Sequence, residues 1–203
     1  MVYHYRVKSV LYCATTNMDK WKEFRLALQE FYDVQQLPGI RDVAPPDETG
    51  TTFEENAALK AEYYSQHCEA PLFADDSGLE VDALGGAPGV YSARYAGPGA
   101  TDDGNNQLLM QQLRGVDDRT ARFVCVIALA QQGKLIQTFR GAVAGCIIDE
   151  PRGVLGFGYD PLFFYDPFGC TFGEAPRERK TTVSHRGQAL LAMVSWLQSQ
   201  KSS

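Results

Sequence analysis

The chain lacks several features that would place it in a common class of protein. Its cysteines are scattered and odd in number, without the paired spacing that builds zinc sites. We therefore expect reduced, mostly buried thiols. No hydrophobic run reaches membrane-spanning length, and residues 1–16 have no apolar core of a secretory signal. These absences predict a cytoplasmic protein with no membrane partner.

An excess of positive charge is also missing. The sequence has 19 basic and 25 acidic residues and a net charge of −6. This balance argues against a nucleic-acid partner, although a few placed lysines can still bind the phosphate groups of a small substrate. With 203 residues, 44% of them hydrophobic, the chain can bury one substantial core. We predict a single, two-lobed domain over residues 1–203.

The hydrophobic pattern alternates between strand-like and helix-like segments, which predicts an α/β fold. The predicted strands cover residues 7–14, 71–74, 121–130, 135–148 and 155–165, and the predicted helices cover 18–31, 52–68, 102–113 and 185–198. A turn at Gln132 and Gly133 predicts an antiparallel hairpin and hence a mixed sheet. Residues 75–99 are predicted to form a long structured loop, and such loops are usually functional.

Two adjacent carboxylates end one of the short apolar runs. Asp75 and Asp76 follow residues 71–74 and precede a glycine-rich, polar stretch. Neighbouring carboxylates repel each other unless a cation lies between them or one takes a proton. Oxygen ligands of this kind suit Mg²⁺, so the pair indicates a metal-dependent enzyme.

The turn between the first strand and the first helix is a candidate phosphate site. Its residues are Thr15, Thr16, Asn17, Met18, Asp19 and Lys20. Free amides and the positive end of a helix dipole attract anions there, and Lys20 can reach back toward them. The spacing is not that of a P-loop. An ordinary helix cap by Thr16 or Asn17 is the alternative, and on the turn alone it is the commoner case.

A second candidate lies on the next helix. Asn56 and Lys60 are four residues apart and share one helical face, where a lysine can meet phosphate. The alternative is a solvated helix edge, and Glu48 can likewise be only a loop carboxylate.

The last two candidates combine aromatic, amide and basic groups. They are Phe157, Gly158, Tyr159 and Asp160, and then Lys180 with His185 and Arg186. Such groups can stack on a nucleobase and form hydrogen bonds with its edge. A lone histidine is often structural or exposed, so the alternative that His185 has no role in substrate binding stays open. A nucleophile elbow is missing from the sequence, and adjacent His67 and Cys68 point to different helix faces.

Taken together, these segments resemble the inosine and xanthosine triphosphate pyrophosphatase family. The matching pieces are ATTNMDK, ETGTTFEENAALKA, ADDSGLEVDALGGAPGVYSARYAG, GFGYDPLF and SHRGQAL with Lys180 ahead of it, spread from Val10 to Leu197. One departure is Thr16, which stands where the family has glycine. Thr disfavours the positive φ that glycine permits, which bears on how closely the backbone approaches phosphate there.

The resemblance implies an elongated mixed β-sheet flanked by helices, with two lobes, a central active-site cleft and a homodimeric assembly. It implies that Asp76 is the catalytic carboxylate and binds Mg²⁺ together with Glu48. It implies that the turn at Thr15–Lys20, together with Lys60, binds the triphosphate, and that Ser77 lies in the same pocket. The nucleoside would be recognised by Phe157, Gly158, Tyr159, Asp160, Lys180, His185 and Arg186.

The implied reaction is hydrolysis of deaminated purine nucleoside triphosphates, dITP/ITP and XTP/dXTP, to the monophosphate and pyrophosphate. Such an enzyme keeps aberrant bases out of DNA and RNA. A water positioned by Asp76 attacks the α-phosphorus. Donors such as His185 or Arg186 form a hydrogen bond with the oxygen of a 6-oxo purine, whereas a 6-amino group would leave the donor unpaired. Two alternatives stay open: a related pyrophosphatase that prefers dTTP or UTP, and a regulatory module that binds nucleotide without cleaving it. The paired acids disfavour the second.

Overall fold

The structure, a computed structural model, describes residues 8–200. Its elements in chain order are β1 (Val10–Cys13), α1 (Met18–Leu28), β2 (Asp33–Gln36), α2 (Phe53–Ser65), β3 (Leu72–Val81), α3 (Asp102–Gln112), β4 (Thr120–Gln131), β5 (Lys134–Ile147), β6 (Phe163–Tyr165), β7 (Cys170–Thr171), α4 (Arg177–Thr181) and α5 (His185–Gln200). A 3₁₀ turn at Gly89–Arg94 precedes α3.

The described strands form one mixed sheet in the order β2-β1-β3-β4-β5-β6-β7. β1 is parallel to β2 and β3, and the remaining pairs are antiparallel. The predicted mixed α/β sheet and its β4–β5 hairpin are therefore confirmed. Gln132 and Gly133 both have positive φ at the hairpin turn, which suits the twist of the strands they join.

Helices cover both faces of the sheet, and the central strands are therefore buried on both sides. On one face, Phe73 and Ile127 pack with Phe24 of α1 and Leu190 of α5. On the other face, Ala74, Val124 and Val126 pack with Ala57 and Ala61 of α2. A third cluster fills the far end of the sheet, where Leu79 and Phe123 meet Leu109, Phe163 and Phe172.

The two N-terminal helices begin where their sequences predict. Asn17 accepts hydrogen bonds from the amides of Asp19 and Lys20 at the start of α1. Thr52 and Glu55 form the expected reciprocal capping box of α2. α1 ends at Leu28, before the predicted limit at residue 31, and α2 ends at Ser65.

β1 is shorter than the predicted strand over 7–14. Within the described part of the chain it begins at Val10, and residue 7 lies outside that part.

The predicted strand over 71–74 is too short. β3 continues to Val81, and Asp75 pairs with Ile127 and Asp76 with Val126 in the ladder to β4. The polar sequence was misleading because this half of β3 loses its second neighbour, β1, after Phe73. The long loop predicted over 75–99 therefore begins only after Val81, and the two acids lie within a strand.

The predicted strand over 155–165 is wrong in its first part. Only Phe163–Tyr165 is extended, and Pro161 and the glycines before it belong to turns. β2, β7 and α4 are too short or too polar for the hydrophobic pattern to predict.

Two expectations about composition can be compared with the structure. All five cysteines are free, but only Cys13 and Cys125 are fully buried, so the expectation of mostly buried thiols was too strong. None of the helices among residues 8–200 has the length and apolar character to cross a membrane.

Candidate active site

The candidate site lies beside the part of β3 that β1 leaves uncovered. β1 pairs with β3 only at Leu72 and Phe73, and the chain then turns away toward α1. A cavity of about 250 Å³ opens there. Its lining includes the predicted residues Asn17, Lys20, Glu48, Lys60, Asp76, Ser77, Phe157, Gly158, Tyr159, Asp160, Lys180, His185 and Arg186.

The rest of the predicted phosphate turn does not line this cavity. Thr15, Thr16, Met18 and Asp19 are absent from its wall. The capping alternative accounts for part of this turn, because the Asn17 side chain occupies two of its amides. Among the described residues, Gln132 is the one non-glycine residue with positive φ, so Thr16 fits the turn without backbone strain. Lys20 is the charged group that this turn contributes to the cavity.

Asp75 and Asp76 do not share a cation, contrary to what their adjacency suggested. Successive strand side chains point to opposite faces, so the two carboxylates are separated by the sheet. The Lys20 ammonium lies 2.9 Å from Asp75 Oδ2, on the face of α1 and α5. The Lys60 ammonium lies 2.9 Å from Asp76 Oδ1, on the face of α2.

The two acids have opposite pKa shifts. Burial raises the pKa of Asp75, but Lys20 and Arg186 outweigh it and hold the value at about 2. Burial also raises the pKa of Asp76, and here Lys60 does not cancel it. Asp75 is therefore a permanent carboxylate, whereas Asp76 has the greater affinity for a proton. Environments that separate the pKa values of neighbouring acids in this way are typical of active sites.

Lys60 lies between two carboxylates. Its Nζ is 3.0 Å from Glu48 Oε1 and 2.9 Å from Asp76 Oδ1, and Arg94 approaches the other Glu48 oxygen at 3.6 Å. Burial opposes the charge of Lys60, yet the surrounding acids raise its pKa. Burial likewise opposes the charge of Glu48, and Lys60 lowers the pKa of that carboxyl.

Glu48 and Asp76 fit a hard divalent cation. Their oxygens already converge on one positive charge, the Lys60 ammonium. Residues 8–200 contain no cluster of three or more His, Cys, Asp or Glu that could hold a metal. Mg²⁺ does not need one, because it commonly binds through one or two carboxylates together with substrate phosphates and water.

The other end of the cavity is built on a buried charge network. Glu23 of α1 accepts hydrogen bonds from Lys180 and Arg186, and Lys180 also donates to Asp160. Arg186 donates to Ser77 as well. All the charged members of this network are at least 96% buried. Burial opposes the charge of Glu23, yet Arg186 and Lys180 lower its pKa.

Asp160 holds its own loop in place. Its Oδ2 accepts the Phe157 amide at 2.9 Å in addition to the Lys180 bond. The Phe157 ring lies beside both cations, 5.2 Å from the Lys180 ammonium and 5.5 Å from the Arg186 guanidinium. The predicted aromatic and basic groups are thus brought together, with Asp160 engaged by the protein itself.

His185 and Arg186 carry buried polar atoms without a protein partner. These atoms are His185 Nδ1 and Arg186 Nε, and neither has a hydrogen-bond partner among residues 8–200. The His185 ring stacks on Phe123 with centroids 4.8 Å apart. Burial and the nearby Arg186 and Lys180 keep the pKa of His185 well below its ordinary value, so the ring is neutral at pH 7. Buried orphan groups of this kind call for a ligand or water.

Several residues of the site were missed by sequence reasoning. Glu23 and Phe123 occur in segments that read as ordinary helix and strand, and Asn105 lies in a helix without a motif. Arg94 stands within the block ADDSGLEVDALGGAPGVYSARYAG but was not singled out there. Glu23 gave a second signal besides that block, since a glutamate on the apolar face of α1 needs a buried partner.

Comparison with known proteins now adds to this geometry. The sequence model of the Ham1 family matches residues 11–196. The chain belongs to the Ham1 family.

Named relatives and solved structures agree with this membership. A dITP/XTP pyrophosphatase of Exiguobacterium sp. is 51% identical over 181 residues, which cover 89% of this chain and 92% of the relative. One of Listeria monocytogenes is 48% identical over 90% of this chain and 91% of its own length. The Ham1 protein structure from Staphylococcus aureus superposes with a TM-score of 0.84 at 38% identity, covering 95% of this chain and 100% of that one. The Mycobacterium abscessus nucleoside-triphosphatase, a dITP/XTP pyrophosphatase, gives 0.71 at 37% identity, covering 91% and 98%.

Proposed function

We propose that the protein hydrolyses deaminated purine nucleoside triphosphates, dITP/ITP and XTP/dXTP, to the nucleoside monophosphate and pyrophosphate. Its Ham1 relatives of 46–51% identity carry the name dITP/XTP pyrophosphatase. The observation that carries the proposal is that the two ends of the cleft differ in chemistry. Acids and lysines lie at one end, around Asp76, and an aromatic and basic chamber lies at the other, around His185.

The triphosphate lies at the acid and lysine end. Lys20 and Lys60 supply positive charge on either side of β3, and both line the cavity. Ammonium groups fixed in this way neutralise phosphate oxygens and stabilise the charge that develops at phosphorus. The Asn17-capped end of α1 adds a helix dipole of favourable sign.

Asp76 orients the attacking water and takes its proton. Asp76 borders the cavity, where its carboxylate can accept a proton from a water molecule within hydrogen-bond reach. Lys60 and Asn56 fix the carboxylate, since Lys60 Nζ donates to Oδ1 and Asn56 Nδ2 to Oδ2. Attack at the α-phosphorus expels pyrophosphate from the opposite side.

Glu48 and Asp76 would hold Mg²⁺. The ion supplies charge neutralisation at the triphosphate and favours ionisation of nearby water. A bound cation would favour the ionised form of both carboxylates. The contribution of the protein is to hold the oxygens of Glu48 and Asp76 close to one point, where Lys60 now lies.

The base lies in the chamber formed by Phe157, Tyr159, His185 and Arg186. Arg186 Nε–H is a donor that cannot give up its proton, so a ligand can satisfy it only with an acceptor. A 6-oxo purine offers an acceptor at this edge, whereas a 6-amino group would leave the donor unpaired in a buried site. Gly158, Asp160 and Lys180 complete the chamber.

We further propose one two-lobed domain, a homodimeric assembly and a cytoplasmic location. The long strands β4 and β5 run through the sheet from the first cluster of core residues to the third, which supports a single folding unit. A nucleotide-cleansing enzyme acts where polymerases draw their substrates, which supports the location.

The reaction is tested by hydrolysis of dITP in H₂¹⁸O with Mg²⁺. The proposal predicts deoxyinosine monophosphate and pyrophosphate, with ¹⁸O in the monophosphate. Label in pyrophosphate would place the attack at the β-phosphorus, and release of deoxyinosine diphosphate with inorganic phosphate would refute the proposed reaction.

A further inference from the structure

The first turn of α3 is fastened to a loop of the cleft wall. Asp102 Oδ2 accepts the Gly158 amide at 2.6 Å, and Asn106 Nδ2 donates to the Gly158 carbonyl at 3.0 Å. Asp102 and Asn106 are four residues apart, so they present both groups from one helical face. One residue of the cleft wall, Gly158, is therefore held at its amide and at its carbonyl by the same helix.

Asn105, which precedes Asn106 in α3, fastens a second segment of the wall. Asn105 is 97% buried, and its side chain accepts the Ala96 amide at 2.9 Å and donates to the Ala93 carbonyl at 3.2 Å. Ala93 belongs to the turn at Gly89–Arg94, which closes the uncovered edge of β3 through Ser92. The two segments also meet directly, because Tyr159 Oη donates to the Ser92 carbonyl at 2.8 Å.

Gly158 stands between the two aromatic residues that border the chamber. Its φ of +61° is left-handed, a conformation that glycine reaches without cost and leaves as easily. On its other side, the loop is held through Asp160, which binds the Phe157 amide. The orientation of the Phe157 ring against Lys180 and Arg186 thus depends on fastening from both sides.

We propose that Asp102 and Asn106 are positioning residues for base recognition: by clamping the Gly158 peptide they set the place of Phe157 and Tyr159 in the chamber. This inference rests on the proposed function, because it assumes that a purine occupies the chamber. Asp102 borders the same cavity as Lys20 and Lys60, but those two lysines bond to Asp75, Asp76 and Glu48, and the bonds of Asp102 and Asn106 go to Gly158. Loss of the clamp therefore weakens binding of the nucleoside and spares binding of the phosphates.

The test compares two ligands that share phosphate but not a base. Dissociation constants are measured by calorimetry for inosine monophosphate and for inorganic tripolyphosphate. Asp102→Ala and Asn106→Ala are expected to raise the constant for inosine monophosphate about 5- to 10-fold, the value of one hydrogen bond, and to leave that for tripolyphosphate within about twofold.

Asp103→Ala is the matched control. Asp103 also lies in the first turn of α3 and shares its interaction with the helix dipole, but it does not bond to Gly158. It should leave both constants unchanged. Asp102→Asn, which keeps an acceptor oxygen, should restore most of the affinity lost in Asp102→Ala.

A direct readout of the clamp is the Gly158 amide resonance in protein labelled with ¹⁵N-glycine. It should move in Asp102→Ala and Asn106→Ala and stay in place in Asp103→Ala. Equal weakening of both ligands, or unchanged affinity for inosine monophosphate in a folded Asp102→Ala variant, would overturn the inference while dITP turnover by the unsubstituted protein stands. Absence of that turnover would overturn the proposed function and the inference with it.

Discussion

The carboxylates of Asp75 and Asp76 lie on opposite faces of β3, although the residues are consecutive in the chain. Asp75 has a pKa of about 2, because Lys20 and Arg186 outweigh its burial, whereas burial raises the pKa of Asp76. Asp75 is thus a structural carboxylate on one face of β3, and Asp76 is a candidate base on the other face. Substitutions at the two positions should have different consequences.

Asp76→Asn should abolish catalysis and leave the fold intact. Loss of the base lowers kcat by about 10²- to 10⁴-fold. The raised pKa of Asp76 means that its charge is not stabilised by folding, so the free energy of unfolding should not fall. Steady-state kinetics and urea denaturation check both parts. Near-normal kcat in this variant would remove Asp76 from the catalytic role.

Asp75→Asn is the matched comparison, and it should act mainly on stability. Neutralising this buried carboxylate leaves Lys20 and Arg186 without their shared partner, at a cost of about 3 kcal/mol in the free energy of unfolding. Urea denaturation at pH 7.5 measures the loss. A variant as stable as the unsubstituted protein would contradict the role given to Asp75.

Removal of the metal should abolish turnover, and Glu48→Gln should raise the metal requirement. Protein treated with EDTA is expected to regain activity on addition of Mg²⁺. Because Gln keeps the size of Glu48 but not its charge, the Mg²⁺ concentration for half-maximal activity should rise by about tenfold or more. Glu54→Gln is the control, since Glu54 pairs with Arg140 outside the cavity. An equal shift in both variants would argue against a metal site at Glu48.

Arg186→Lys should weaken recognition of the base more than it slows the chemical step. Lysine keeps a positive charge beside Glu23, but it lacks the planar guanidinium that joins Glu23 to Ser77 and the Nε–H donor that the base would satisfy. KM for dITP is expected to rise about tenfold with kcat nearly unchanged, as for one lost charge-assisted hydrogen bond. Substitution by alanine is less informative, because it would leave Glu23 with Lys180 as its remaining partner. An unchanged KM would exclude Arg186 from base recognition.

His185 should make stability depend on pH below about 6.5. Its pKa is depressed by burial in the folded protein, so below the unfolded value the unfolded chain binds a proton that the folded protein does not. Lowering the pH from 7.5 to 5.5 should therefore reduce the free energy of unfolding by about 1.4 kcal/mol through this residue. Urea denaturation of the unsubstituted protein and of His185→Gln at both pH values isolates the term. Equal pH dependence in the two proteins would show that His185 is not buried as a neutral ring.

Much of the fold could be predicted from the sequence because local signals agreed with the final packing. The Asn17 and Thr52 caps begin their helices, and Gln132 with Gly133 makes the hairpin turn. β3 was predicted too short because its polarity reflects a missing neighbour, which only the assembled sheet defines. Which edge of a strand lacks a pairing partner cannot be read from the sequence of that strand alone.

The site was predicted in its parts but not in its contacts. The motifs pointed to Lys60, His185 and Arg186 as single residues. They gave no indication that Lys60 lies between Glu48 and Asp76, or that Glu23 joins Lys180 to Arg186. Those pairings link residues up to 163 positions apart, a separation that only the tertiary fold brings together.

The central claim is selective cleavage of deaminated purine triphosphates, and a substrate comparison tests it most directly. Values of kcat/KM would be measured for dITP, XTP, ATP, GTP, dTTP and UTP with Mg²⁺, with the monophosphate products separated by ion exchange. The account predicts that dITP and XTP exceed each of the others by about 100-fold or more. Preference for dTTP or UTP, or tight binding of nucleotide without turnover, would contradict it.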